Sequence, residues 1–198
     1  MDNNLIKIEN LVDIDIQNSI ESFITSTSFR WYYSPGTIVV QELDDESKKF
    51  VIVDGINPPQ FVHTVVKDSK QNSEFFNLIQ PIIENLADNL KTDIEIIRVK
   101  FNFLLQNVDS TYHYPHTDTD IIDSNIKTMI YYVNESDGDT YIFDKLSPLI
   151  NNTVSIKETV SPKKGSAIIF DASTLHSGSS PLHYPTRIVL NVVFKILN

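Results

Sequence analysis

The chain has 198 residues, of which 41% are hydrophobic and 21% charged; this balance fits one globular domain and excludes disordered or fibrous classes. A formal net charge of −10 opposes loose association with phosphate backbones or anionic lipid surfaces. With no cysteine, disulfides, thiolate metal sites and cysteine nucleophiles are excluded together, so any metal must be held by His, Asp or Glu. The first residues carry Asp2 and Glu9 without an apolar run, which fits neither a secretory signal nor a membrane span and makes a cytoplasmic location the default expectation.

In chain order, Ile14, Ile20, Phe23 and Ile24 recur at helical intervals and predict a short amphipathic helix over 11–27. Trp31, Tyr32 and Tyr33 precede a Pro35-Gly36 turn and read as core or lid packing. Short apolar runs at 37–41 and 50–53 predict strands, and the segment 53–66 reads as an entrance loop. Phe75, Phe76, Ile79, Ile82, Ile83, Leu86 and Leu90 form the stripe of a main helix over 68–90, with a kink or break expected at Pro81. Beyond it the period changes to two: Ile97, Val99, Phe101 and Phe103 alternate with Arg98, Lys100 and Asn102. Strands are predicted over 93–105, 126–134, 140–143, 154–159, 166–170 and 186–196. The expected class is therefore mainly β (α+β), a sandwich or closed barrel supported by helices from the N-terminal half.

The segment Tyr112-His113-Tyr114-Pro115-His116-Thr117-Asp118-Thr119-Asp120 concentrates imidazoles and carboxylates. In extended backbone, positions two apart share a face, so His116 and Asp118 can address one ion. A facial triad of two His and one carboxylate needs a third ligand from elsewhere and leaves coordination positions open. His176, in Ser173-Thr174-Leu175-His176-Ser177-Gly178, is the natural candidate. His113 lacks an acid two residues on and reads as substrate-side or surface; His63 and His183 read as surface residues, Asp120 and Asp123 as solvated loop acids. The Lys163-Lys164 pair reads as a turn with solvated charges.

The ordered set of His116-x-Asp118, the strand Met129-Ile130-Tyr131-Tyr132-Val133-Asn134, the run from Pro162 to Phe170, then His176 and Arg187 resembles the prolyl-4-hydroxylase-like branch of the 2-oxoglutarate/Fe(II) oxygenase superfamily, including small phage members. The resemblance covers about half the chain, roughly 93–196. It implies a double-stranded β-helix, that is, a cupin-like jelly roll, with a metal-binding core over about 93–198 and N-terminal support over about 1–92, all in one domain. It also implies Fe(II), 2-oxoglutarate and O2 as cofactors, with ascorbate as a supporting reductant. Arg187, eleven positions beyond His176, matches the basic residue that binds the far carboxylate of 2-oxoglutarate, a role suited to a rigid two-pronged guanidinium. Tyr132 matches a phenol to the same carboxylate, and Asn102 corresponds loosely to another co-substrate contact. If Arg187 faces the barrel interior, Val189, Asn191 and Val193 do too, which brings Asn191 toward the co-substrate; Ile188, Leu190, Val192 and Phe194 then face the helices. Leu104 departs from relatives that place a tyrosine there. Related halogenases replace the carboxylate ligand with a small residue; Asp118 is retained, which favours hydroxylation of a peptide side chain or small molecule, with succinate and CO2 released. Two other readings stand beside this one: a catalytically inactive jelly-roll binding or structural protein, and an oxidative demethylase of nucleic-acid bases, which expects a basic groove.

Overall fold

The computed structural model describes residues 5–38, 55–109, 111–144 and 155–197. Among them the elements run β1 (Ile6–Ile8), α1 (Ile14–Ile24), β2 (Tyr32–Ser34), β3 (Gln60–Lys67), β4 (Lys70–Gln71), α2 (Phe76–Leu90), β5 (Ile94–Leu105), β6 (Ile126–Tyr132), β7 (Thr140–Phe143), β8 (Ile156–Val160), β9 (Ala167–Asp171), β10 (His176–Gly178) and β11 (Thr186–Ile196). A large sheet has the order β1-β9-β6-β11-β5-β3-β2 with β4 turned onto β3, and a small sheet has the order β10-β7-β8. Every strand pairing is antiparallel. The architecture is a jelly roll, mainly β, with two helices on the outer face of the large sheet.

Period-two alternation places each strand's residues. Along β11, Ile188, Leu190, Val192 and Phe194 pack with Ile20, Ile24, Ile79, Ile82 and Leu86 of the helices, while Val189 faces inward with Ile130, Tyr132 and Phe170. Arg187 and Asn191, on the same inward face as Val189, line a cavity between the sheets. The expected division of β11 into a helix-facing and a barrel-facing set therefore holds. β11 lies between β5 and β6 and is buried on both faces over most of its length, which explains its run of Ile, Val and Leu.

Some expectations need correction. The main helix begins at Phe76 rather than at 68, because Asp68 and Ser69 adopt positive φ and close a two-residue turn between β3 and β4. Helix α2 runs through Pro81 without a break, and Asn85 Nδ2 donates to the Pro81 carbonyl at 2.8 Å. The segment read as an entrance loop contains β3, an inner strand of the large sheet beside β5; the N-terminal half thus builds barrel wall as well as support. Thr37 and Ile38 lie in a bend, and the rest of the strand predicted over 37–41, with the whole of 50–53, lies outside the described residues. His63 is buried, its ring between the Arg30 carbonyl and the Ser73 hydroxyl. Trp31 packs edge-on to Phe29 and Phe101 in the core, whereas Tyr32 and Tyr33 are exposed. Lys164 is paired with Glu21 and Asn18 rather than free in solvent. No helix among the described residues is long and apolar enough to cross a membrane.

Candidate metal centre

Backbone pairing brings the two distant parts of the sequence together. Residues 113–118 run antiparallel to β10: His113 N–H donates to the Gly178 carbonyl at 2.8 Å, and His116 and His176 exchange reciprocal N–H···O=C bonds of 2.9 Å. Asp118 N–H then donates to the Ala172 carbonyl at 2.9 Å. The segment is extended but forms isolated bridges, not a continuous strand. These bonds fix the separation of the imidazoles before any side-chain contact is considered.

The side chains converge. One ligand atom from each of His116, Asp118 and His176 lies within 4.8 Å of the other two, and His176 Nε2 is 3.6 Å from Asp118 Oδ2. His116 Nδ1 bonds the Tyr114 carbonyl at 3.2 Å, and His176 Nδ1 bonds the Thr174 carbonyl at 3.0 Å. A carbonyl only accepts, so each Nδ1 carries a proton, which leaves Nε2 as the ring atom available to a metal. Burial lowers the His116 pKa to about 4, with His176 adding to the effect, so its imidazole is neutral at physiological pH.

Asp118 is the electrostatic centre. Burial alone would raise its pKa, but His176, Arg98, His116 and the Thr128 hydroxyl outweigh burial and hold the carboxyl well below its ordinary range. Arg98 Nη2 engages Oδ1 at 2.5 Å, while Thr128 Oγ1 and Asn191 Nδ2 donate to Oδ2 at 2.7 and 3.0 Å. Asn191 therefore orients the acid rather than standing free in the cavity. Arg98 Nη2 also donates to Asn191 Oδ1 at 3.1 Å, tying the pair to β5.

At the other end of the cavity Arg187 is 5% exposed. Its Nε donates to the Gly138 carbonyl at 2.6 Å and Nη2 to Thr140 Oγ1 at 2.8 Å. No carboxylate pairs with it among the described residues, and burial lowers its pKa. Tyr132 donates its phenol to the same Thr140 hydroxyl at 2.9 Å, and burial raises its pKa to about 12. Two glycines make room for the guanidinium: a Cβ on Gly178 would sit 3.2 Å from Arg187 Nη1, and one on Gly138 would meet the Ser179 carbonyl at 2.5 Å. Asn102 and Leu104 line the cavity with Arg187, Leu104 directly across from it in the β5–β11 register.

His113 also lines this cavity and is only 2% exposed, with Nε2 3.2 Å from Ser180 Oγ; it is no surface residue. His183 is exposed, as expected. Sequence reasoning missed Arg98, Thr128, Thr140, Gly138 and Gly178. Only Arg98 carried a usable signal, as a cation on the inward face of a predicted strand next to the metal motif. The others are small residues whose role depends on contacts between β6, β7, β10 and β11.

The fold is the one found in 2-oxoglutarate/Fe(II) oxygenases. An oxidoreductase of that family from Burkholderia pseudomallei superposes with a TM-score of 0.62 at 12% identity, covering 96% of this chain and 84% of its own. The viral collagen prolyl hydroxylase of Paramecium Bursaria Chlorella virus-1 gives 0.55 at 16% identity, covering 99% and 98%. The 2-oxoglutarate-dependent epimerase SnoN from nogalamycin biosynthesis gives 0.61 at 11% identity, covering 97% and 77%. No protein-family model and no curated protein matches the sequence.

Proposed function

We propose that the chain is a non-haem Fe(II)- and 2-oxoglutarate-dependent oxygenase that hydroxylates a peptide side chain or a small molecule, with release of succinate and CO2. One observation carries this reading: the His116, Asp118 and His176 trio shares a cavity with Arg187, a buried guanidinium that has no acid partner among the described residues. A buried guanidinium with no bonded carboxylate is unfavourable by several kcal/mol, and the fields of Tyr132 and Asp139 offset its burial only in part. A diacid held by a metal at one end and by Arg187 at the other would supply that bonded charge.

The donor set fits the metal. Two imidazoles and one carboxylate, with no thiolate in the sequence, form the N/O set that suits Fe(II) and leaves positions open. Iron with the 2-oxo acid supplies the oxidising chemistry when bound; the chain holds, orients and shields. His116 and His176 can offer Nε2 to a metal because their Nδ1 protons are directed to carbonyls. Arg98, Thr128 and Asn191 keep Asp118 ionised and directed. Tyr132 remains a protonated donor at neutral pH beside Arg187. Ile130 and Val189 add apolar side chains to the lining of the same cavity.

The test is direct. Anaerobic addition of Fe(II) and 2-oxoglutarate should give the visible absorption band of a chelated 2-oxo acid, and oxygen with ascorbate should then give succinate. His116→Ala and Asp118→Ala should each abolish iron retention and succinate formation. Wild-type protein that keeps iron but forms neither the band nor succinate would favour the inactive binding-protein reading instead.

A further inference from the structure

We propose that Lys100 binds a carboxylate of the primary substrate beside the metal centre, a specificity role that rests on the oxygenase reading above. Lys100 sits in the middle of β5, level with Thr64 on β3 and with Asn191 on β11. It lines the same cavity as His116 and Asp118. Among the described residues no acid or amide side chain bonds its ammonium. Asp118 is the acid whose field it feels, but that carboxylate is already engaged by Arg98, Thr128 and Asn191. Burial lowers the Lys100 pKa, and the neighbouring Arg98 lowers it further.

Pairing the charges leaves Lys100 over. Arg98 is matched by Asp118. On the oxygenase reading Arg187 would be matched by the far carboxylate of the co-substrate, and the metal by its other end. Lys100 has no counterpart in that set, although half-buried charges ordinarily acquire one. Position separates it from the co-substrate's far end. Leu104 stands across from Arg187, and Lys100 four residues along the same strand, about 13 Å away at the usual rise of an extended chain. One carboxylate cannot bridge both.

The missing anion is a carboxylate on chemical grounds. Phosphate sites gather several donors, commonly guanidinium forks or nests of backbone N–H groups, whereas this position offers a single ammonium. The net charge of −10 also repels polyanions. A substrate acid placed against Lys100 would bring neighbouring carbon atoms to the metal side of the cavity. The class of substrate is therefore an acid, such as an acidic side chain or a small carboxylic acid.

Acetate and acetamide, titrated by NMR against the wild type and against Lys100→Met and Lys100→Arg, test this. The Zn(II)-loaded protein with N-oxalylglycine and the metal-free protein would both be used. Acetate should bind Lys100→Met about tenfold or more weakly than wild type, as expected for loss of a charge-assisted bond. Lys100→Arg should retain acetate binding, and acetamide should not discriminate among the three. Equal acetate affinity in wild type and Lys100→Met overturns the proposal. So does inorganic phosphate binding more tightly than acetate in a Lys100-dependent way, which would make the ligand a phosphate. The visible band formed with Fe(II) and 2-oxoglutarate is the second readout. A raised 2-oxoglutarate requirement in Lys100→Met would assign the lysine to the co-substrate and overturn the substrate role. Absence of the band in wild type is instead the failure of the oxygenase reading, and the acetate titration of the metal-free protein still reads Lys100.

Discussion

At the scale of single residues, two arginines near the site have opposite electrostatic situations. Arg98 is paired with Asp118 and one-third exposed, whereas Arg187 is buried and no carboxylate bonds it among the described residues. Removing each should therefore have a different signature. Arg187→Met should leave iron retention intact and raise the 2-oxoglutarate concentration needed for half-maximal succinate formation by roughly tenfold or more, the loss expected for a charge-assisted pair. An unchanged requirement would remove Arg187 from its assigned role. Arg98→Met acts through Asp118, whose Oδ1 it holds at 2.5 Å. Loss of such a supporting partner lowers metal affinity by about 10–100-fold, measurable by competition with a chelator. Arg98→Lys should recover part of that affinity, because a point charge restores the ion pair but not the second bond to Asn191 Oδ1.

At the scale of elements, the site depends on two layers of packing. The inward residues of β11 reach the cavity only because its outward residues are anchored against α1 and α2. Ile82, fully buried in that layer, is a clean probe: Ile82→Ala should destabilise the protein by about 2–5 kcal/mol in urea unfolding. The folded fraction should still retain metal, since no ligand contacts this side chain. These elements were unequally legible. The period-two pattern of β5 and β11 is carried by local alternation, so β11 was predicted with the bounds it has, and β5 to within one residue. Strand β3, by contrast, has Pro58-Pro59 before it and buried His63 and Gln60 within it, and its strand character comes from pairing with β5, which no local signal announces. Strand β10 is three residues long and exists because Ile142, Tyr141 and Thr140 lie across from it. The His116-x-Asp118 spacing was visible because extended backbone puts alternate residues on one face. The Thr140 hydroxyl, shared by Arg187 and Tyr132, was not, because its partners lie on two other strands.

At the scale of the whole molecule, the interior holds several groups that resist the protonation state they would take in acid. Burial lowers the His113 pKa to about 3, with Arg187 and His116 adding to it, and the His116 pKa to about 4. Asp118 stays ionised well below its ordinary range. In each case the unfolded chain binds the proton at a higher pH than the folded one. Stability is therefore fully present above the unfolded histidine pKa of about 6.5 and is lost as pH falls toward the folded values, the sign that linkage requires when the unfolded state takes up more protons. For His113 alone the loss between pH 7 and pH 5 comes to roughly 2 kcal/mol in the metal-free protein. His113→Gln keeps a side chain able to bond Ser180, yet cannot titrate. Its unfolding free energy, measured with urea, should consequently fall by about 2 kcal/mol less than that of wild type over the same interval. An identical pH slope in the two proteins would mean that His113 carries its proton in the folded state and would overturn this account.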